Sequence, residues 1–94
     1  MKNKTARPVF SKLPTMEKIY FIRAEWDDES KVWVATSDDV PGLATEADTL
    51  EALSTKLETL VPELLELNGE LTQTHVPFEL LARRFAVAHA PTSH

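Results

Sequence analysis

Two neighbouring segments of the chain have strand-like patterns and together predict a β-hairpin. In residues 19–26, every second residue from Tyr20 to Trp26 is apolar. This period near two indicates a half-buried strand. Residues 27–30 (Asp-Asp-Glu-Ser) are typical of a turn, and the β-branched and aromatic run at residues 32–36 predicts the second strand. Trp26 and Trp33 flank this turn, so we predict a packed cross-strand pair rather than a platform that stacks a ligand.

A Pro-Gly corner follows the hairpin. In residues 38–42 (Asp-Asp-Val-Pro-Gly), Pro41 fixes φ and removes a hydrogen-bond donor, while Gly42 permits a strained backbone. Residues 43–47 predict a short third strand. Asp48 is then the predicted N-cap of a helix, with Glu51 three residues later as its reciprocal capping partner.

A row of leucines predicts one amphipathic helix that covers the sheet. Its members, spaced three or four residues apart, are Leu50, Leu53, Leu57, Leu60, Leu64 and Leu67, and Val61 and Leu65 widen the row. Pro62 is predicted to kink the helix or to split it near Val61, and it disfavours the alternative of a coiled coil. Asn68-Gly69 is a conventional helix stop.

Residues 76–88 fit two periods. Phe78, Leu81, Ala82 and Phe85 suit a helix, whereas Leu81, Arg83, Phe85 and Val87 suit a strand. We predict a fourth strand here. The predicted fold class is therefore α+β: a small antiparallel three-stranded sheet, one main helix and a further strand, in the order β-β-β-α-β.

The length and composition limit the domain organisation. With 94 residues, of which 43% are apolar, the chain has room for one modest core, and a core of this size favours self-association or partner association. We expect one α+β domain over residues 18–90, preceded by a flexible basic extension over residues 1–17; Met16 is an alternative translation start. No secretory signal, membrane span or cysteine occurs, so we expect a soluble, cytoplasmic protein.

The net charge of −5 is unevenly distributed. Residues 1–18 carry five basic groups against one acidic group, whereas residues 19–94 carry five basic against fourteen acidic groups. An acidic body opposes binding to a phosphate backbone and suits basic proteins as partners. We interpret the basic extension as a solvated tail; the alternative is an arm that binds nucleic acid through Lys2, Lys4, Arg7 and Lys12.

The acidic residues also permit a catalytic hypothesis. Paired carboxylates are what a two-metal nuclease requires, and the candidates are Asp27, Asp28, Glu29, Asp38, Asp39 and Asp48. Most of these residues stand where turns and helix caps favour aspartate, so we interpret them as residues that shape the local backbone. The alternative is a metal-dependent nuclease that uses Asp27, Asp28 and Asp39. The three histidines are scattered, and no nucleophile or phosphate-loop motif occurs. We therefore expect no cofactor, no metal site and no enzymatic activity.

Arg83-Arg84 is the one basic doublet of the body. In a strand these two side chains point to opposite faces, so at most one of them meets a given partner. The chain beyond residue 76 is too short for a ribbon-helix-helix DNA reader. Our candidate partner surface consists of Asp27, Asp28, Glu29, Arg83 and Arg84.

Two short motifs, at the corner and at the helix start, resemble those of the HicB-like antitoxin group. That family has a (P)D-x-P-G corner and a G-D-T-x-E-A helix start, which Asp39-Val-Pro-Gly42 and Asp48-Thr-Leu-Glu-Ala52 match. Ala47 stands where the family often has glycine. The likeness covers about residues 18–88 and is greater to a short branch with W-V-A-T-S at 33–37 and L-V-P-E-L at 60–64. The matched positions that we interpret as structural are Asp39, Pro41, Gly42, Asp48, Thr49 and Glu51.

The resemblance implies a partial ribonuclease-H-like fold and an interaction function. HicB-like antitoxins bind HicA, a small basic ribonuclease, and cover its active site, and many also repress their operon through a C-terminal DNA-binding module. This chain departs from the family in lacking that module, so direct binding to nucleic acid is not expected. The expectation is a non-catalytic, homo-oligomeric HicB-like domain with a HicA-like toxin as its partner.

Overall fold

Five elements make up the part of the chain that the structure, a computed structural model, describes: residues 18–91. They are strand β1 (Tyr20–Asp27), strand β2 (Val32–Thr36), strand β3 (Ala44–Ala47), helix α1 (Leu50–Leu67) and strand β4 (Phe78–Arg83). The predicted α+β class and the β-β-β-α-β order are confirmed. The basic residues Lys2, Lys4, Arg7 and Lys12 and the alternative start Met16 lie outside the described residues.

The four strands form a single mixed sheet in the order β3-β2-β1-β4. β1 pairs antiparallel with β2, and β2 pairs antiparallel with β3, as consecutive strands joined by short loops do. The predicted further strand is β4, which adds to the outer side of β1 as a parallel neighbour, so the sheet has four strands and is mixed where three antiparallel strands were predicted. A parallel pair needs a crossover connection, and α1 provides it between β3 at one edge and β4 at the other.

The core lies between α1 and one face of the sheet. Tyr20, Ile22 and Ala24 of β1 are buried there while Phe21 and Arg23 are exposed, which confirms the half-buried strand. Within residues 18–91, the buried apolar residues are Tyr20, Ile22, Ala24, Ala35, Val40, Leu43, Ala47, Leu53, Leu57, Val61 and Leu65. No element of the described chain covers the opposite face, which we call the open face.

The buried side of α1 is rotated relative to the predicted leucine row. Leu53, Leu57, Val61 and Leu65, each four residues apart, have no exposed surface. Leu67, which the row included, is 81% exposed. The prediction is wrong for Leu67 because Val61 and Leu65 fill the sheet-facing positions of the last two turns.

The N-terminus of α1 also differs from the prediction. Thr49 is the N-cap, and its Oγ1 accepts a hydrogen bond from the backbone N–H of Ala52 at 3.0 Å. Asp48 therefore lies one residue before the cap, and Glu51 falls in the first helical turn instead of the reciprocal capping position. There its charge still favours the helix, because the N-terminal end of the helix dipole is positive.

Pro62 does not split the helix, since α1 runs without a break from Leu50 to Leu67. Pro62 has no N–H to donate to the carbonyl of Glu58. Glu58 lies on the exposed side of the helix, where water can donate to that carbonyl instead. The predicted stop at Asn68-Gly69 is confirmed. Gly69 has φ +72°, and the N–H groups of Gly69 and Glu70 donate to the carbonyls of Glu66 and Leu65 at 3.0 and 2.8 Å, the Schellman arrangement.

The outer side of α1 is strongly polar. It presents Glu51, Lys56, Glu58, Glu63 and Glu66 to solvent. Among residues 18–91, no helix has the length and hydropathy of a membrane-spanning segment.

Candidate functional site

The hairpin turn places a group of carboxylates at one end of the sheet. Asp27 ends β1, and its Oδ1 accepts hydrogen bonds from the N–H groups of Glu29 and Ser30 at 3.0 and 3.3 Å. The N–H of Lys31, which has φ 60°, donates to the carbonyl of Asp27 at 2.7 Å. Asp27 thus holds the turn closed, which leaves Glu29 exposed at its tip.

Asp28 is held by two neighbours. Its Oδ1 accepts hydrogen bonds from Lys31 Nζ at 3.1 Å and Trp26 Nε1 at 3.2 Å. The hydrogen bond from the Lys31 ammonium, followed by that from the Trp26 indole, lowers the pKa of Asp28 below its ordinary value. Asp28 therefore keeps its negative charge into more acidic solution than an isolated aspartate does.

The lowered pKa of Asp28 predicts a pH-dependent contribution to stability. A carboxyl group whose pKa is lower in the folded state stabilises the fold above its ordinary pKa and loses that effect as pH falls through the lowered value. We expect the difference in melting temperature between the wild type and Asp28→Asn to be constant from neutral pH to about pH 5 and to shrink below about pH 4. Thermal unfolding at several pH values measures it. An unchanged difference at about pH 2 would contradict the assignment.

The two tryptophans pack beside this turn. Trp26 and Trp33 are directly opposite each other in the ladder, with ring centroids 5.4 Å apart at 63°, so the predicted cross-strand pair is confirmed. The guanidinium of Arg84 lies 4.5 Å from the centre of the Trp26 ring. On the open face, Arg83 is opposite Glu25. The candidate partner residues of the hairpin and of the Arg83-Arg84 doublet therefore meet at the same end of the sheet.

The start of α1 adds two further carboxylates to this end. β2 and β3 pair so that Trp33 is opposite Ala47, which places Asp48 next to Val32, the partner of Asp27. α1 begins two residues later. We call this group of five carboxylates the acidic end: Asp27, Asp28, Glu29, Asp48 and Glu51.

The Pro-Gly corner lies at the other end of β1 and is held by side chains. The Ser37 hydroxyl donates to the carbonyl of Phe21 at 2.6 Å and accepts from the N–H groups of Asp39 and Val40 at 3.0 and 3.3 Å. Asp39 Oδ2 in turn accepts from the N–H of Phe21 at 2.8 Å. Two side chains thus satisfy the backbone of β1 just beyond the end of the β2 ladder.

Residues 40–43 form the tight turn of the corner. The N–H of Leu43 donates to the carbonyl of Val40 at 3.2 Å, and Gly42 has φ +85° after Pro41. Proline followed by a residue with positive φ is the pattern of a type II turn. Val40 and Leu43 are both buried, so the turn anchors the corner in the core.

Ser37 is a residue of the corner that the D-x-P-G motif does not include. The pattern that indicates its role is that of an ST-turn, in which a serine hydroxyl accepts hydrogen bonds from the backbone N–H groups two and three residues later. We expect Ser37→Ala to lower the free energy of unfolding by about 1–3 kcal/mol, because backbone groups of Phe21, Asp39 and Val40 lose their partner. The matched change Asp38→Ala removes an ion pair with Arg23 at 3.3 Å whose side chains are 50% and 87% exposed, and should cost under about 1 kcal/mol. Chemical denaturation measures both variants, and equal losses would contradict the role of Ser37.

Asp39 lies far from Asp27 and Asp28, the two carboxylates with which the nuclease hypothesis pairs it. Phe21, which Asp39 contacts, and Asp27 are six residues apart along β1, a separation of about 20 Å. No group of three metal-binding side chains occurs within residues 18–91. Asp27, Asp28 and Asp39 each accept hydrogen bonds that shape the hairpin or the corner.

These features define a small α+β domain in which one helix covers one face of a four-stranded mixed sheet and no element within residues 18–91 covers the other face. The comparisons with known proteins place it in a family. The chain belongs to the family described as "Domain of unknown function (DUF1902)", whose model matches residues 19–89. It is similar to the crystal structure of a hypothetical protein from the extremely thermophilic bacterium Thermus thermophilus, at 54% identity over 76% of this chain and 100% of that one, with a TM-score of 0.67. No curated protein matches the chain.

Proposed function

We propose that this chain is a non-catalytic protein-interaction domain that binds and neutralises a small basic ribonuclease, as the HicB-like antitoxins that it resembles do. The observation that carries the proposal is the acidic surface. Residues 19–94 hold fourteen acidic groups against five basic ones, and no charged residue of the described chain is buried. Two ion pairs, Arg23–Asp38 and Lys31–Asp28, leave the other carboxylates of residues 18–91 without an ionic partner.

The arrangement of the carboxylates supports binding over catalysis. A catalytic site requires a few groups that converge on one reacting atom, whereas these groups are spread over the acidic end, the corner and the outer side of α1. A distributed negative surface attracts a positively charged protein, raises the rate of association and excludes like-charged partners.

The acidic end is the part of that surface that we assign to the partner. It has an aromatic pair beside it, and aromatic residues are enriched in the centres of protein interfaces. Its turn is fixed by the hydrogen bonds of Asp27 and Asp28, so binding there has little ordering cost. Arg84 on Trp26 gives the same end one positive charge that can meet a carboxylate of the partner.

The test is co-expression of this chain with the product of an adjacent small basic reading frame of its own genome. The proposal predicts that induction of the basic protein alone arrests growth, and that co-expression restores growth and yields a complex that co-purifies. A matched control is Leu57→Ala, which destabilises the folded domain without changing its charge. Arrest that persists with the wild-type chain, or a harmless neighbour that forms no complex, would refute the proposal.

A further inference from the structure

We propose that two copies of this chain dimerise by antiparallel pairing of their β4 strands about a two-fold axis at Leu81, which joins the two sheets into one of eight strands. The inference starts from the exposed apolar residues. Seven large hydrophobic side chains are exposed among residues 18–91, and five of them are Ile19, Phe21, Leu81, Phe85 and Val87. Phe21 and Leu81 stand at odd positions of β1 and β4, whose odd-numbered side chains point to the open face, while Ile19 directly precedes β1 and Phe85 and Val87 follow β4.

Among residues 18–91, no strand pairs with the outer edge of β4. β4 is the last strand of the order β3-β2-β1-β4, and residues 84–91 beyond it belong to no helix or strand. Phe85 is 87% exposed and Val87 is 66% exposed on this extension. A long, unpaired edge that continues into exposed apolar residues is the kind of strand that pairs with another chain.

The hydrogen-bond pattern determines which registers this edge permits. The N–H of Tyr20 donates to the carbonyl of Pro77 at 3.0 Å, and Tyr20 is the ladder partner of Phe78. In a parallel ladder, this bond means that the backbone N–H and C=O groups of odd-numbered β4 residues point towards β1. Those of even-numbered β4 residues point outwards, away from β1. Phe78, Leu80 and Ala82 therefore direct N–H and C=O groups outwards that no strand of the described chain binds, and an antiparallel partner must pair even residues with even residues.

Charge selects one of the remaining registers. With the axis at Leu81, Glu79 of each copy is opposite Arg83 of the other, and Leu80 exchanges hydrogen bonds with Ala82. An axis at Glu79 or at Arg83 would oppose like charges, which is destabilising. An axis at Leu80 or at Ala82 would set a charged side chain against Leu81. The strand is thus complementary to itself in one register. For this reason we assign the position beside β4 to the β4 strand of a second copy of the chain.

The same register also covers exposed apolar residues beyond the strand. Phe85 of one copy is then opposite Pro77 of the other, beside Ile19 of that copy, because residue 19 precedes the Tyr20–Phe78 pair. Leu81 meets Leu81 at the axis. The two helices lie on the same side of the joined sheet, and the acidic ends stay accessible at the surface of the dimer. Formation of the dimer does not depend on the proposed function.

The test uses the absence of cysteine from this sequence. At the axis, the two Leu81 residues form a pair without mutual hydrogen bonds, with Cα atoms about 4.5 Å apart, a distance that a disulfide can bridge. The full-length Leu81→Cys variant should therefore form a covalent dimer on mild oxidation. Val87→Cys is the matched control: its two copies would lie about 40 Å apart in this register and should not cross-link.

Charge exchange tests the register independently. Sedimentation analysis at sub-millimolar concentration should show a wild-type dimer. Arg83→Glu should weaken the dimer at least about tenfold, because two pairs become repulsive. The double variant Glu79→Arg/Arg83→Glu should restore it, because each pair is regained with its signs reversed.

Three results would overturn the proposal: a monomeric wild type, equal cross-linking at positions 81 and 87, or a dimer that Arg83→Glu does not weaken. Circular dichroism of every variant shows whether it is folded. The double variant also carries Arg83→Glu. If it dimerises, the loss of dimer in the single variant comes from the interface and not from misfolding. Failure of the dimer leaves binding of a basic ribonuclease by a monomer intact, so the two proposals are tested separately.

Discussion

Leu57→Ala is expected to lower the free energy of unfolding by about 2–5 kcal/mol. Leu57 has no exposed surface and lies in the middle of the buried row of α1, between Leu53 and Val61. Removing its side chain leaves a cavity against a sheet of four short strands, which has little capacity to collapse around it. A domain of this size has a small net stability, so a loss of this magnitude populates the unfolded state.

Leu67→Ala is the matched control. It makes the same chemical change in the same helix, but Leu67 is 81% exposed, and the expected effect is within about 0.5 kcal/mol. Urea denaturation followed by circular dichroism measures both variants. Similar losses for the two would show that the buried side of α1 is not the one described.

Reversal of charge at the acidic end is expected to slow association with the basic partner at least about tenfold at low ionic strength. Glu29→Lys/Asp48→Lys is suited to this, because both side chains are exposed and neither makes a side-chain hydrogen bond within residues 18–91. The variant changes the charge by four units while Asp27 and Asp28 continue to hold the hairpin turn. The association rate should also lose much of its dependence on salt concentration.

Glu66→Lys/Glu70→Lys changes the net charge by the same amount at the opposite end of α1. That end is about 27 Å away along an 18-residue helix, well beyond the screening length of about 10 Å at 0.1 M salt. Stopped-flow measurement of both variants should show a much smaller effect for this control. Equal slowing would mean that net charge alone steers the partner and that the acidic end is not its contact.

The elements that the sequence predicted correctly are those with a strong local pattern. The alternation that starts at Tyr20, the turn residues after Asp27 and the Asn68-Gly69 stop each determine local backbone geometry, and each appears in the structure. The pairing of β4 with β1 was not predicted, because it joins residues far apart in sequence. Local periodicity does not carry information about which neighbour a strand chooses.

The errors at the ends of α1 have separate causes. Asp48 and Thr49 are both good N-caps, and a one-residue shift between them depends on where β3 ends. Pro62 weakens a helix locally, but packing of Val61 and Leu65 on the sheet maintains it. Leu67 fits the helical period, yet Val61 and Leu65 occupy the sheet-facing positions of the last two turns.

The candidate site was predicted only in part. The hairpin carboxylates were identified as a group because they are consecutive in the sequence. Their proximity to Asp48 and Glu51 follows from the pairing of β2 with β3, and the contact between Arg84 and Trp26 follows from the position of β4. Both depend on tertiary structure, which residue spacing alone does not define.

The most direct test of the central claim is an RNA-cleavage assay in which the purified basic protein from the adjacent reading frame is titrated with this chain. We predict that cleavage falls in proportion to the added chain and stops at a fixed molar ratio, and that the chain alone cleaves nothing with or without Mg²⁺. Undiminished cleavage in the presence of excess folded chain, or cleavage by the chain alone, would contradict the account.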